Sequence, residues 1–165
     1  MTYLRHTTPL VAADTCYGMT DLSLTAGFEA EAERSLSVLE RPSLVVSSPL
    51  HRCLRLAERA ATRFGVEMTV SQDWREMDFG DWEGRPWNAL PRDELDAWAA
   101  DFMGYKGHGG ESVTDLATRI AAAREKIPDH ALVVTHMGCI KAVLAGQGAP
   151  DPWQARLPFG GYLTL

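Results

Sequence analysis

Three short apolar runs, each closing on polar or cationic residues, constrain this chain more than any other feature. Thr2-Tyr3-Leu4 leads into Arg5-His6-Thr7, and Leu44-Val45-Val46 leads into Ser47-Ser48-Pro49 and then Arg52. Leu132-Val133-Val134 leads into Thr135-His136-Met137-Gly138. Each run is followed by polar residues and then by a helix-like pattern. In an open α/β sheet the carboxyl ends of parallel strands face one crevice, and ligands bind there. Such a sheet gathers Arg5, His6, Arg52 and His136 from three separate segments.

The remaining pattern alternates strands with helices. Thr25 caps a helix to about Leu39, with Phe28, Ala32, Leu36 and Leu39 on one face. Pro49 opens a helix to Phe64 with Leu50, Cys53, Leu54, Ala57, Ala60, Ala61 and Phe64 as its buried stripe, and Gly65 ends it. Val66–Val70 reads as a strand, and 93–102 as a short helix. Ser112 caps a helix whose apolar face is Val113, Leu116, Ala117, Ile120 and Ile127. Strand 131–135, helix 137–145 and a last strand within 160–165 complete the alternation. The segments 7–24 and 73–92 are irregular, and 104–110 is a glycine-rich loop. This order predicts a three-layer α/β/α sandwich on a mainly parallel central sheet. The 165 residues fit one domain, with no internal repeat or linker.

Charge and cysteine content narrow the function classes. A net charge of −6 argues against a nucleic-acid partner and makes the few clustered cations read as a local anion site. Cys16, Cys53 and Cys139 are odd in number and widely spaced, so neither a disulfide framework nor a structural zinc site is expected. His136 and Cys139 could imitate a metal pair, yet no further ligands fall in pattern, so no metal is expected. No apolar run reaches the ~18 residues that span a bilayer, and no secretory pattern precedes Arg5. The expected setting is cytoplasmic.

Arg52 falls in the first turn of its helix, where the dipole favours anions. A cation there suits a bound oxyanion, and its fork matches a phosphate. A neutral imidazole at pH 7 is a nucleophile, and neighbouring arginines bias it further to that form. The second imidazole can then bind phosphoryl oxygens in the transition state. A carboxyl among aromatic rings is suited to proton donation. Glu76, Asp78, Asp81 and Glu83 all sit in such a segment, and spacing does not choose among them. Trp74, Trp87 and Trp98 read as packing, Tyr17 and Trp82 as the pocket mouth, and His51, His108 and His130 as surface residues.

Five stretches in order carry a family resemblance: Leu4-Arg5-His6, Ser47-Ser48-Pro49-Leu50-His51-Arg52, Arg75 to Gly84, Gly110-Glu111-Ser112, and Val133-Val134-Thr135-His136. Together they resemble the histidine phosphatase superfamily, also called phosphoglycerate mutase-like. The resemblance implies that fold, His6 as the nucleophile that becomes phosphohistidine, and Arg5, Arg52 and His136 as the phosphate pocket. It places the acid at Glu76 and implies no metal or organic cofactor. Met137, after the second histidine, joins the phosphate-binding set, though the family often has a small residue there. Thr7 replaces the family's usual glycine after the nucleophile.

The stretch Cys16 to Leu24, with Asp81-Trp82-Glu83-Gly84, resembles the α-ribazole phosphatase-like branch. That branch implies hydrolysis of α-ribazole 5′-phosphate in cobalamin assembly, with Thr7, Tyr17, Gly18, Thr20 and Trp82 lining the substrate pocket. The expected partner is thus a small phosphorylated substrate, without nucleic acid or membrane, bound by a monomer or homodimer. The alternatives are a mutase, a protein-phosphohistidine phosphatase and a non-catalytic phosphate-binding module.

Overall fold

The strands form because alternate residues face two different cores. In the computed structural model, which describes residues 1–165, the strands are β1 (Thr2–Arg5), β2 (Val45–Ser47), β3 (Met68–Val70), β4 (Leu132–Thr135) and β5 (Tyr162–Thr164). They lie in the order β3-β2-β4-β1-β5. β1, β2, β3 and β4 run parallel, whereas β5 pairs antiparallel with β1 at the edge. Tyr3, Val46 and Val133 share one face, and Leu4, Val45, Leu132 and Val134 share the other. This two-residue period is what a sheet covered on both sides requires.

Helices α1 (Phe28–Ser37) and α2 (His51–Phe64) cover the Leu4 face with Phe28, Leu36, Leu56 and Ala60. On the Tyr3 face lie α4 (Val113–Arg124) and α5 (Met137–Gly146), through Leu116, Ile120, Ile140 and Val143. Helix α3 (Arg92–Ala100) stands outside these layers against a small third cluster. Ser112 caps α4 as expected: its hydroxyl accepts from the Asp115 amide, and the Asp115 carboxylate accepts from the Ser112 amide. Gly65 ends α2 in the left-handed region at φ 61°.

The observed elements are trimmed relative to the sequence reading. Helix α1 starts at Phe28 rather than Thr25 because 25–27 forms a turn. The buried stripe of α2 is rotated, with Leu56 and Arg52 turned inward and Leu54 half-buried. The irregular 73–92 segment contains three single 3₁₀ turns at 72–74, 80–82 and 87–89. Two residues lie elsewhere than the sequence suggests. Trp82 is fully buried, donates its indole N–H to Glu94 at 2.5 Å, and packs on Trp98 and Tyr105, so it is a packing residue and not part of the pocket mouth. His108 is buried against the same ring, centroids 4.9 Å apart, and is not a surface residue.

Candidate active site

Parallel register brings the predicted residues together. Arg5 on β1 pairs with Thr135 on β4, so His6 and His136 emerge side by side, with ring centroids 5.2 Å apart. The Ser48 amide donates to the Val134 carbonyl at 3.0 Å, which aligns the end of β2 with the other two. Helix α2 then turns Arg52 back toward both histidines. Arg52, His136 and His6 are all buried, Arg52 and His136 fully so.

The hydrogen bonds of His6 define its tautomer. Its Nδ1 lies 2.7 Å from the Thr7 carbonyl, which can only accept, so Nδ1 carries the proton. Nε2 is left with its lone pair. Burial, followed by the Arg52 guanidinium, lowers the His6 pKa to about 3 despite the Thr7 hydrogen bond. The ring is therefore held neutral, with an Nε2 lone pair available. His136 is held well below its ordinary pKa by burial, then by Arg52 and His6. Its Nε2 is 2.8 Å from the Ser48 hydroxyl, and the Cys53 thiol lies 3.4 Å from the same nitrogen.

Both arginines are partly used and partly free. Arg52 donates to the carbonyls of Thr20 at 2.7 Å and Gly18 at 2.5 Å, and its Cζ lies 5.4 Å from the centre of the Tyr17 ring. Gly18 is required here, since a Cβ would collide with the Met77 carbonyl. Arg5 donates to the Leu157 carbonyl at 2.5 Å, and its Cζ stands 4.0 Å over the Phe159 ring. The Nε atoms of Arg5 and Arg52 and the hydroxyl of Thr7 are buried without a hydrogen-bond partner. Buried donors are rarely left unpaired. Three at one place, two of them cationic, describe a pocket shaped for an oxyanion. Burial lowers the Arg5 pKa, with Tyr17 and Glu76 acting in the opposite sense.

The structure separates the four acid candidates. Glu83 braces the 17–20 loop: its carboxylate accepts from the amides of Met19, Thr20 and Phe79 and from the Thr20 hydroxyl. Burial raises its pKa, but these bonds together hold it below the ordinary value. Asp78 accepts from the Gly80 amide at 2.8 Å, and Asp81 is exposed. Glu76 instead reaches the start of α5, where Oε2 accepts from the Gly138 amide and Oε1 from its neighbour Met77, both at 3.0 Å. Its charge is felt at Arg5 and Tyr17. Met137 opens α5, and its side chain lines the hollow beside Glu76.

Sequence reasoning missed two contributors. Phe159 covers both His6, at 5.4 Å between ring centroids, and Arg5. Arg119 makes a two-pronged ion pair with Glu111, at 2.9 and 2.6 Å, and donates to the carbonyls of Asp73 and Arg75. It fixes the backbone that presents Glu76. Glu111 stands out within its motif, but nothing in the sequence pairs it with a residue eight positions on. No three His, Cys, Asp or Glu side chains are grouped so as to hold a metal ion.

A buried neutral imidazole, two arginines with unpaired buried donors and one carboxylate thus meet at the strand ends of a parallel sheet, an arrangement suited to holding an oxyanion. Comparison with known proteins agrees. The family described as "Histidine phosphatase superfamily (branch 1)" matches residues 2–159, and the chain belongs to it. It is 36% identical over 104 residues to a glucosyl-3-phosphoglycerate phosphatase of Mycolicibacterium vanbaalenii, covering 61% of this chain and 45% of that protein. It is 31% identical over 147 residues to the probable phosphoglycerate mutase GpmB of Salmonella choleraesuis, covering 78% of this chain and 66% of the relative. This chain thus spans less than two thirds of either relative. The crystal structure of a phosphoglycerate mutase from Thermus thermophilus superposes with a TM-score of 0.80 at 31% identity, over 98% of this chain and 89% of that one. These matches establish the phosphoglycerate mutase-like fold and membership of the histidine phosphatase superfamily. They do not single out the α-ribazole branch.

Proposed function

We propose that the protein hydrolyses a phosphomonoester of a small alcohol through a phosphohistidine. The observation that carries this reading is the bond from His6 Nδ1 to the Thr7 carbonyl, which leaves Nε2 free beside unpaired arginine donors. Nε2 attacks phosphorus, an N–P bond forms, and the ester P–O bond breaks. Glu76 gives its proton to the departing alkoxide. Water then attacks the phosphohistidine, Glu76 takes the water's proton, and the N–P bond breaks to release phosphate and free imidazole. Arg5, Arg52 and His136 offset charge on the equatorial oxygens, with the amino end of α5, opened by Met137, behind them. No step in this scheme calls on a metal or cofactor.

α-Ribazole 5′-phosphate is one candidate substrate, supported by the Cys16–Leu24 resemblance. A phosphoglycerate derivative is another, supported by the relatives' names. A mutase would return the phosphoryl group to a second hydroxyl instead of water. Three unpaired, buried cysteines suit a reducing cytoplasm, and no helix is long and apolar enough to cross a membrane.

The test is phosphate release in chelator from aryl phosphate, α-ribazole 5′-phosphate, phosphoglycerates and a phosphohistidine peptide, for wild type and His6→Ala. Turnover that vanishes in His6→Ala, with a phosphorylated protein trapped by alkaline quench of wild type, is the expected result. Activity surviving His6→Ala, or lost to chelator, would overturn the mechanism. Glu76→Gln should slow ester hydrolysis by roughly two to four decades while sparing phosphohistidine, whose imidazole leaves without an acid.

A further inference from the structure

Beside Glu76 and the first turn of α5, which follows His136 at the end of β4, the chain lines a half-open hollow of about 240 Å³. Phe79, Trp87, Trp98, Phe102 and Trp153 line it, with Lys141 among them. The rings form a continuous wall. Trp87 and Trp98 stack at 5.8 Å, Trp98 meets Phe102 at 5.8 Å, and Phe102 meets Trp153 at 5.9 Å. Phe79, Trp87 and Trp98 also pack against the small third core cluster, and with Phe102 and Trp153 they wall this hollow.

Two polar groups on the wall lack partners. The indole Nε1 of Trp98 is buried without a hydrogen bond. Lys141, half-buried on α5, takes part in none of the seven ion pairs of the chain. Burial lowers the Lys141 pKa, the charges of Arg156 and Arg5 act in the same sense, and the Glu76 carboxylate acts against them. A half-buried ammonium beside a second cation is a place where an added anion is favoured. Glu76 lines the same cavity and also stands in the field of Arg5 and Tyr17. The cavity thus begins where the carboxyl that would protonate a leaving oxygen is held.

We infer that this cavity receives the leaving group of the ester, and that the leaving group is an alcohol bearing one ring and a carboxylate. The inference rests on the phosphomonoesterase reading. The ring lies against the Trp87, Trp98, Phe102 and Trp153 faces, where each aromatic contact adds to area burial. The carboxylate meets Lys141 in a charge-assisted hydrogen bond. The volume suits about ten non-hydrogen atoms, taking ~20–30 Å³ for each. The same wall leaves little for a short acyclic alcohol to touch.

Two measurements on the full chain test this. The first is tryptophan fluorescence on titration with 4-hydroxybenzoate, phenol or glycerate, which needs no turnover. The expected result is a saturable change with 4-hydroxybenzoate, weaker by about tenfold with phenol and absent with glycerate. The second is the ratio of kcat/KM for 4-carboxyphenyl phosphate to that for phenyl phosphate. Lys141→Gln should lower this ratio about tenfold, whereas Lys126→Gln, an exposed lysine paired with Asp73, should leave it unchanged. Phe102→Ala, at a 37% exposed position, should raise KM severalfold for both aryl esters and not for glycerol phosphate. Hydrolysis with no ring preference, or a ratio unmoved by Lys141→Gln, overturns the subsite and leaves the hydrolase reading standing. Saturable 4-hydroxybenzoate binding without phosphate release from any ester upholds the ligand class and overturns the hydrolase reading.

Discussion

Replacing Gly138 by alanine should separate the acid from the fold. Gly138 is the second residue of α5, and its amide holds Glu76 Oε2 at 3.0 Å. A Cβ at this position would overlap Glu76 Oε1 and stand 3.0 Å from the carboxyl carbon. Carbon atoms in contact prefer about 3.5–4.0 Å. The carboxyl carbon must therefore retreat by roughly 0.5–1 Å and Oε1 by more. A displacement of that size at a reacting group is worth about 10²-fold, or ~2.7 kcal/mol of barrier. The clash falls on the end of a flexible side chain, so the fold absorbs it easily. Alanine also suits a helix better than glycine by up to about 1 kcal/mol. The expected outcome is a Tm equal to or above wild type, with kcat/KM on an alkyl phosphate reduced about a hundredfold. On a nitrophenyl phosphate, whose leaving group scarcely needs a proton, the loss should be below about tenfold. Equal losses on both esters, or none on either, would refute the placement of the acid.

Three further outcomes follow from the same geometry. His6 and His136 are buried neutral, with the His6 pKa lowered from 6.5 to about 3. The unfolded chain therefore takes up protons that the folded chain refuses. Stability is complete above pH ~6.5 and falls toward pH 3 with a slope of about 1.4 kcal/mol per pH unit per histidine. His108, also buried with its pKa lowered by burial, adds to the slope, so urea midpoints between pH 7 and 5 should show it reduced by about a third in His6→Asn; an unchanged slope counts against it. Arg119→Met leaves Glu111 and two carbonyls unpaired, and should lower stability by about 3 kcal/mol in denaturant titration. A loss within ~0.5 kcal/mol would show that the network does not brace the acid segment. Thr7→Val removes a buried hydroxyl that has no partner in the protein. Competitive inhibition by inorganic phosphate should weaken about fivefold if that hydroxyl serves the anion, and an unchanged constant assigns it elsewhere.

Much of the site was readable in the sequence because strand ends in a parallel sheet converge by construction. Arg5, His6 and His136 needed little more than the recognition of three apolar runs. Other features depended on contacts that leave no local mark. Arg52 was marked by its place in the first turn of α2, but its complete burial beside Cys53 and Leu56 was not. Trp82 and His108 are brought together by a loop closure in which the Asp81 amide donates to the His108 carbonyl at 2.8 Å, across a glycine-rich stretch that looks solvated. Spacing left four acids equivalent, and they become distinct only once Glu83 is seen holding the donors of Met19, Thr20 and Phe79. The cover that Phe159 provides comes from the far end of the sequence.

That cover has a consequence for the order in which the enzyme can be assembled. β1 lies between β4 and β5, so the strand that leads into His6 has no neighbour until residues 132–135 and 162–164 arrive. Arg5 likewise acquires its carbonyl and ring partners only with Leu157 and Phe159. Both partners of β1 lie more than 120 residues further along the chain, so its pairing carries a large loop-closure entropy. The β2-α2-β3 unit is local by comparison, whereas the His6 imidazole loses water and basicity only when the chain returns to β1. The cradle of Arg5, His6 and His136 is therefore a property of the closed sheet and cannot precede it.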